Sequence, residues 1–217
     1  MKNEFIYRMH LALFFLDILR NPDLTLEKIT KKLDFFTNSE ESNKFIVTLY
    51  PYVAKNFRQE RNIHYSATIM PERIDFVTYL NNEDLEKNKD IKNDFYEKSK
   101  QFIQSVFSEK SIGRIGIISY SFRNSETPQI EIYDEYLKKN IIKDSFEISL
   151  RYNMRTLFNK VPINNVTTIE STFPNDEINK KGIITTKDVN SIFVPDSGIS
   201  LEFANQFLDK FIEDTPD

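Results

Sequence analysis

Residues 63–80, IHYSATIMPERIDFVTYL, carry the clearest fold signal in the chain. Ile63, Tyr65, Ala67 and Ile69 alternate with His64, Ser66 and Thr68, the two-residue period of a strand with one buried face. After Met70-Pro71-Glu72-Arg73 the pattern resumes, with Ile74, Phe76 and Thr78 set against Asp75, Val77 and Tyr79. Two such runs around a proline turn spell an antiparallel hairpin. A long helix over 83–109 follows, with Ile91, Phe95, Phe102, Ile103, Val106 and Phe107 on one face and Lys and Glu elsewhere. The stretch 115–122, IGIISYSF, carries no charge and suits the centre of a sheet. Residues 63–122 therefore read β-β-α-β.

Downstream, Thr127-Pro128 opens a short helix through Tyr133, Leu137 and Ile141, with proline at the first helical position. Phe146, Ile148, Leu150, Tyr152 and Met154 then face inward, while Glu147, Ser149, Arg151, Asn153 and Arg155 face outward. Two further strands, 166–173 and 182–194, flank the polar turn Pro174-Asn175-Asp176-Glu177. A helix capped near Ser200 buries Phe203, Ala204, Phe207, Leu208, Phe211 and Ile212, and the acidic EDTPD ends the sequence. Strands and helices are interspersed and the hairpins are short. The fold class expected is α+β, mainly antiparallel sheet packed by long amphipathic helices. No internal repeat is visible at the residue level, although both halves end in an amphipathic helix.

Upstream the signals are mixed. Tyr7, Met9, Leu11, Leu13 and Phe15 alternate as in a strand, yet Phe5, Met9, Ala12, Leu13, Leu16 and Leu19 also form a helical stripe. Apolar density over more than one face favours the helix. Pro22 ends that element, and Asp23 or Thr25 can cap a helix bearing Leu26, Ile29, Leu33 and Phe36. A polar run, Thr37 to Asn43, and an apolar stretch, Phe45 to Val53, come next. The organisation expected is a mostly helical segment over 1–60 and an α+β body over 61–217, joined as one globular unit.

Composition narrows the chemistry. The 217 residues include 4 Gly and no Cys, so phosphate-cradling glycine loops, disulfides, thiolate zinc sites and cysteine nucleophiles are disfavoured. The absence of cysteine fits a reducing cytoplasm. Net charge is −4, without the basic excess typical of duplex-DNA binding. No apolar run is long enough to span a bilayer; the densest, Leu11 to Leu19, contains Asp17 and lacks a cleavage site.

Candidate motifs dissolve one by one. ILRNPDLTLEKITKKL (18–33) resembles the front of a helix-turn-helix, but TNSEESN follows where a reading helix would start. Its lysines sit at a helix C-terminus, where the macrodipole favours cations. Arg58 and His64 lie six apart without a helix to hold them together, and His64 reads as a solvent-side ladder residue. Asp196 and Glu202 echo a nuclease carboxylate pair, but position 204 is alanine, where that chemistry wants lysine. No metal site and no cofactor are expected, since His10 and His64 lack ligand spacing and no oxygen-rich loop is present. No nucleotide-binding or serine-hydrolase motif occurs. The surface of greatest interest is the outward face of 147–155, with Glu147, Arg151, Asn153 and Arg155, joined by Arg114 and Arg123 flanking the strand 115–122.

Pro71-Glu72-Arg73-Ile74-Asp75-Phe76, a helix to Phe107, Gly113-Arg114-Ile115-Gly116-Ile117, and Asp188-Val189-Asn190 before the last helix form a recognisable order. It resembles a sporadically distributed bacterial family of uncharacterised α+β proteins, over 63–122 and 183–212. The chain departs from that pattern at SYSFRNS, where the strand ends differently. The resemblance implies a cytoplasmic bacterial protein of variable genome regions tied to mobile elements or phage conflict, and it brings no catalytic residues. Richness in Asn, Lys, Ile and Phe agrees with an AT-rich bacterial or phage genome.

The function expected is a non-enzymatic interaction protein with a protein partner or a homo-oligomeric state, an accessory subunit in a phage-related or phage-defence system. Abundant Phe and Tyr supply interface anchors. The alternatives are RNA or single-stranded DNA binding through the arginine-bearing sheet face, and a motif-less nuclease or hydrolase.

Overall fold

A computed structural model describes residues 4–37, 52–58, 63–80, 90–137, 147–174 and 178–215. The polar run after Thr37, most of the apolar stretch 45–53, the helical start before residue 90, Ile141, Phe146 and residues 175–177 of the polar turn lie outside them. The elements run β1 (Glu4–Phe15), α1 (Pro22–Thr30), α2 (Asp34–Thr37), β2 (Tyr52–Arg58), β3 (Ile63–Ile69), β4 (Arg73–Leu80) and α3 (Ile91–Phe107), then β5 (Ile112–Asn124), α4 (Pro128–Tyr136), β6 (Ser149–Phe158), β7 (Val161–Thr172), β8 (Gly182–Ser191) and α5 (Leu201–Glu213). All eight strands join one sheet in the order β2-β3-β4-β1-β5-β8-β7-β6. Every neighbouring pair is antiparallel.

This order contains a repeat that is absent from the letters. Each half is a strand, a helical crossover, a three-strand meander and a closing helix, and the two halves meet at β1 and β5. The hairpin expected at 63–80 is β3–β4, with Ile69 opposite Ile74 and Ala67 opposite Phe76.

The N-terminal expectation is corrected. Residues 4–15 are a strand at the centre of the sheet, so 1–60 is not a mostly helical segment. The strand period governs: Met9, Leu11 and Leu13 are fully buried on one face. The apolar residues that suggested a second helical face belong to the other side of this central strand, where Ala12 is buried and Phe14 partly so. Helix α1 starts at Pro22, with Asn21 in the capping position; Thr25 instead turns its hydroxyl back to the Asn21 carbonyl at 3.0 Å. Helix α3 spans 17 residues, shorter than the 83–109 expected, and α5, at 13 residues, matches the helix read from Ser200 to Ile212 without being long. Among the described residues no helix is long and apolar enough to cross a membrane.

The helices gather on one side of the sheet. Phe76 on β4 meets Phe95 and Phe102 of α3 at ring-centroid distances of 6.1 and 5.0 Å, and Phe35 and Phe36 of α2 at 5.7 and 6.4 Å. Leu26 and Ile29 of α1, with Leu33 beyond it, close this core. The lysines of the opening helix are engaged locally: Lys31 pairs with Glu27, and Lys32 with Glu109 beyond α3. In the second half, Ile132 of α4 packs on Ile169 and Ile183, and Phe203 and Phe207 of α5 meet Phe158. Helix α5 starts as expected, with Ser200 accepting from the Phe203 amide at 3.0 Å. It docks on α3, where Asp209 accepts from Tyr96 at 2.7 Å and pairs with Lys100 at 3.0 Å.

Strand β6 departs from its expected burial. Its alternation is regular, but it is an edge strand, and Tyr152 and Met154 stay 49 % and 58 % exposed. Phe76→Ala removes the ring on which α2 and α3 converge. Urea denaturation is expected to show a loss of about 3–5 kcal/mol, while Leu157→Ala on exposed β6 stays within about 0.5 kcal/mol of the parent.

Candidate binding face on the helix-free side of the sheet

Among the described residues, no helix packs on the other face of the sheet. Directly opposed residues in an antiparallel pair share a face, so cross-strand registers define its rows. One row runs Asp75, Ala12, Gly116, Asn190, Asn164, Arg155 across six strands. Beside it runs Arg73, Phe14, Arg114. On the other flank lies Val77, His10, Ile118, Asp188, Val166, Asn153, followed by His64, Tyr79, Arg8, Tyr120, Thr186, Thr168, Arg151.

The polar groups of this face hold one another. Arg155 Nε donates to Asn164 at 3.2 Å, and Asn164 donates to Asn190 Oδ1 at 3.2 Å. The same oxygen accepts from Arg114 at 2.9 Å, while Asn190 donates to Asp188 at 2.9 Å. Across the centre, the nearly buried Asp75 carboxylate accepts from His10 Nε2 and from Arg73 Nε, each at 3.0 Å. Small side chains at Ala12 and Gly116 separate the two clusters. A Cβ at Gly116 would come within 3.3 Å of the Asn190 side chain.

Aromatic rings support the cations. The Arg114 and Arg73 guanidinium carbons lie 4.8 and 5.8 Å from the Phe14 ring, and Arg8 lies 5.1 Å from Tyr120. His64 stacks on Tyr79 at 4.9 Å and 10°. Burial pushes the Tyr79 phenol above its usual value, with the charge of Arg8 opposing, so it remains a neutral donor at ordinary pH. The face carries Arg8, Arg73, Arg114, Arg151 and Arg155 against Asp75, Asp188 and Glu170, a cationic excess on a chain whose net charge is −4.

The structure brings Arg114, Arg151, Asn153 and Arg155 onto this face, as grouped from the sequence. Arg123 is not with them: it pairs with Ile183 on the helix-covered side and binds Glu135 of α4 at 2.8 Å. Its separation from Arg114 is an odd number of residues, which in a strand means the opposite face. Glu147 precedes β6 and is exposed. Sequence reasoning missed His10, Arg73, Asp75, Asn164 and Asn190 as members of the site. Several of the residues that carried the family resemblance, Arg73, Asp75, Arg114, Asp188 and Asn190, meet here. No family model matches the chain, and no curated protein matches it.

Asp75→Ala leaves His10 and Arg73 without their shared carboxylate on a half-buried face. Chemical denaturation is expected to show a loss of about 1–3 kcal/mol, and an unchanged midpoint would remove Asp75 as the organiser of the cluster.

Proposed function

We propose that the protein is a non-enzymatic binding protein and that its helix-free sheet face docks a protein partner with an acidic surface. The observation that carries this reading is the pre-organisation of the face. Arg73, Arg114 and Arg155 are held by rings, carboxamides or a carboxylate before any partner arrives, so little side-chain freedom is lost on binding. Arginine and aromatic groups are the side chains that anchor protein interfaces. Asp75, Asp188 and Glu170, interleaved with the arginines, break the cationic line and suit the discrete carboxylates of an acidic protein surface better than a uniform line of phosphates. The sequence resemblance supports a bacterial, cytoplasmic setting and an accessory role in a phage-related system.

A second reading, single-stranded nucleic acid, is favoured by one observation: Arg151 and Arg155 are exposed on the same edge strand and share a face with Tyr79 and Tyr120. The two separate in one comparison. Immobilised parent chain, Arg114→Glu and the double variant Arg151→Glu/Arg155→Glu are tested for capture of a protein from bacterial lysate and for retention of labelled single-stranded DNA and RNA at low ionic strength. The expected result is salt-sensitive capture of a protein by the parent, lost in both variants, with no retained oligonucleotide. Oligonucleotide binding that falls steeply with salt and vanishes in the double variant would install the second reading. Protein capture indifferent to all three substitutions would remove the face from the function.

A further inference from the structure

The helix-covered side of the sheet differs between the two halves in a way the fold does not require. In the first half its central positions are hydrocarbon: Leu11, Leu13, Ile74, Phe76 and Ala67 are all fully buried beneath the helices. In the second half a row of directly opposed residues reads Ser119 on β5, Lys187 on β8, Thr167 on β7 and Tyr152 on β6. The next row adds Ser121 and Thr185. With Tyr136 at the end of α4, the Glu4 carboxylate and the apolar Ile6 and Ile169, these residues line an open cleft of about 240 Å³. At these matched positions the same architecture carries apolar side chains in one half and leaves a hydroxyl-floored space in the other, although the first half also buries the Thr78 hydroxyl on this face.

Withdrawing polar groups from bulk water is costly unless they gain partners. Ser121 has one, the carboxylate of Glu4. No side-chain hydrogen bond or ion pair joins Ser119, Thr167, Thr185 or Lys187 to another described residue; Ser119 is only 4 % exposed, and the other three are half-buried, within reach of water or a ligand. An ammonium with three donors shares this lining with three hydroxyls, a set that complements an oxyanion, while the Glu4 carboxylate on the same wall is engaged by Ser121. Tyr136 and Tyr152 supply aromatic surface beside that floor. Burial first, then the charge of Glu135, pushes the Tyr136 phenol up, with Arg123 opposing, so it stays a neutral donor.

We propose that this cleft binds a small molecule bearing an oxyanion, a carboxylate or a phosphate monoester, on a planar body. Lys187, Ser119, Thr167 and Thr185 receive the anionic head, and the tyrosines flank the body. The space is large enough for several water-sized groups, the scale of a small ligand rather than of a nucleotide. The site lies on the opposite side of the sheet from the proposed docking face, so either assignment can fail without the other.

Titration of the full chain with phenyl phosphate, benzoate and inorganic phosphate, followed by calorimetry and by amide chemical shifts, tests this. One of the two aromatic anions is expected to saturate a single site more tightly than inorganic phosphate, and which one does so distinguishes a phosphate from a carboxylate head. Loss of a charge-assisted contact in Lys187→Met weakens binding about tenfold or more. Lys187→Arg retains most of it, and Thr167→Val weakens it while circular dichroism shows the fold intact. Absence of saturable binding of all three probes to the parent overturns the proposal. So does binding that Lys187→Met and Thr167→Val leave unchanged, which would mean the cleft holds water alone.

Discussion

The antiparallel pairing of β1 with β5 is the contact on which the rest of the molecule depends. It runs through eleven residue pairs, from Glu4 opposite Arg123 to Phe15 opposite Ile112, with irregularities near Tyr7 and between Phe14 and Phe15. Each strand opens one half of the chain, and each half lays its meander outward from that seam. Because the helices of both halves cover the same side, the seam also decides that the opposite side of all eight strands is free of packed helices among the described residues. A slip of one residue at this seam would exchange the two faces of one half relative to the other. Met9, Leu11, Ile115 and Ile117 would then lose their core, and His10 and Arg114 their open face.

That constraint separates two kinds of surface. The open face is built from cross-strand polar pairs and ring-supported cations, whose geometry is set by register rather than by flexible loops. The covered face is a hydrocarbon core in the first half and a hydroxyl-lined space around Lys187 in the second. Pseudo-repetition is what makes the second feature interpretable. At matched positions the first half carries Leu11, Ile74 and Phe76 where the second carries Ser119, Thr185 and Lys187, and that contrast is what motivates the proposed ligand.

The sequence was most legible where one face is buried and the other wet. The hairpin 63–80 and the closing helix could be read directly, because Ile63, Tyr65 and Ala67 alternate cleanly and Phe203, Phe207 and Phe211 follow helical spacing. Strand β1 was misread because a central strand is apolar on more than one side, which imitates a buried helix. The repeat was invisible because topology repeats without residue identity: apolar positions of one half become Ser, Thr and Lys in the other. Of the open face, period-two counting found Arg151, Asn153 and Arg155, which sit on one strand. Asp75 with His10, and Asn190 with Arg114, depend on which strands become neighbours, and no local pattern encodes that.

Native-state hydrogen exchange tests the central role of the seam most directly. If β1–β5 unites both halves, the amides of Met9 to Leu13 and Ile115 to Ser119 exchange slowest. They open only with global unfolding, in a single cooperative step shared by residues of β3, β4, β7 and β8. Seam amides that exchange faster than those of either meander, with the two halves opening at separate denaturant concentrations, would contradict the account.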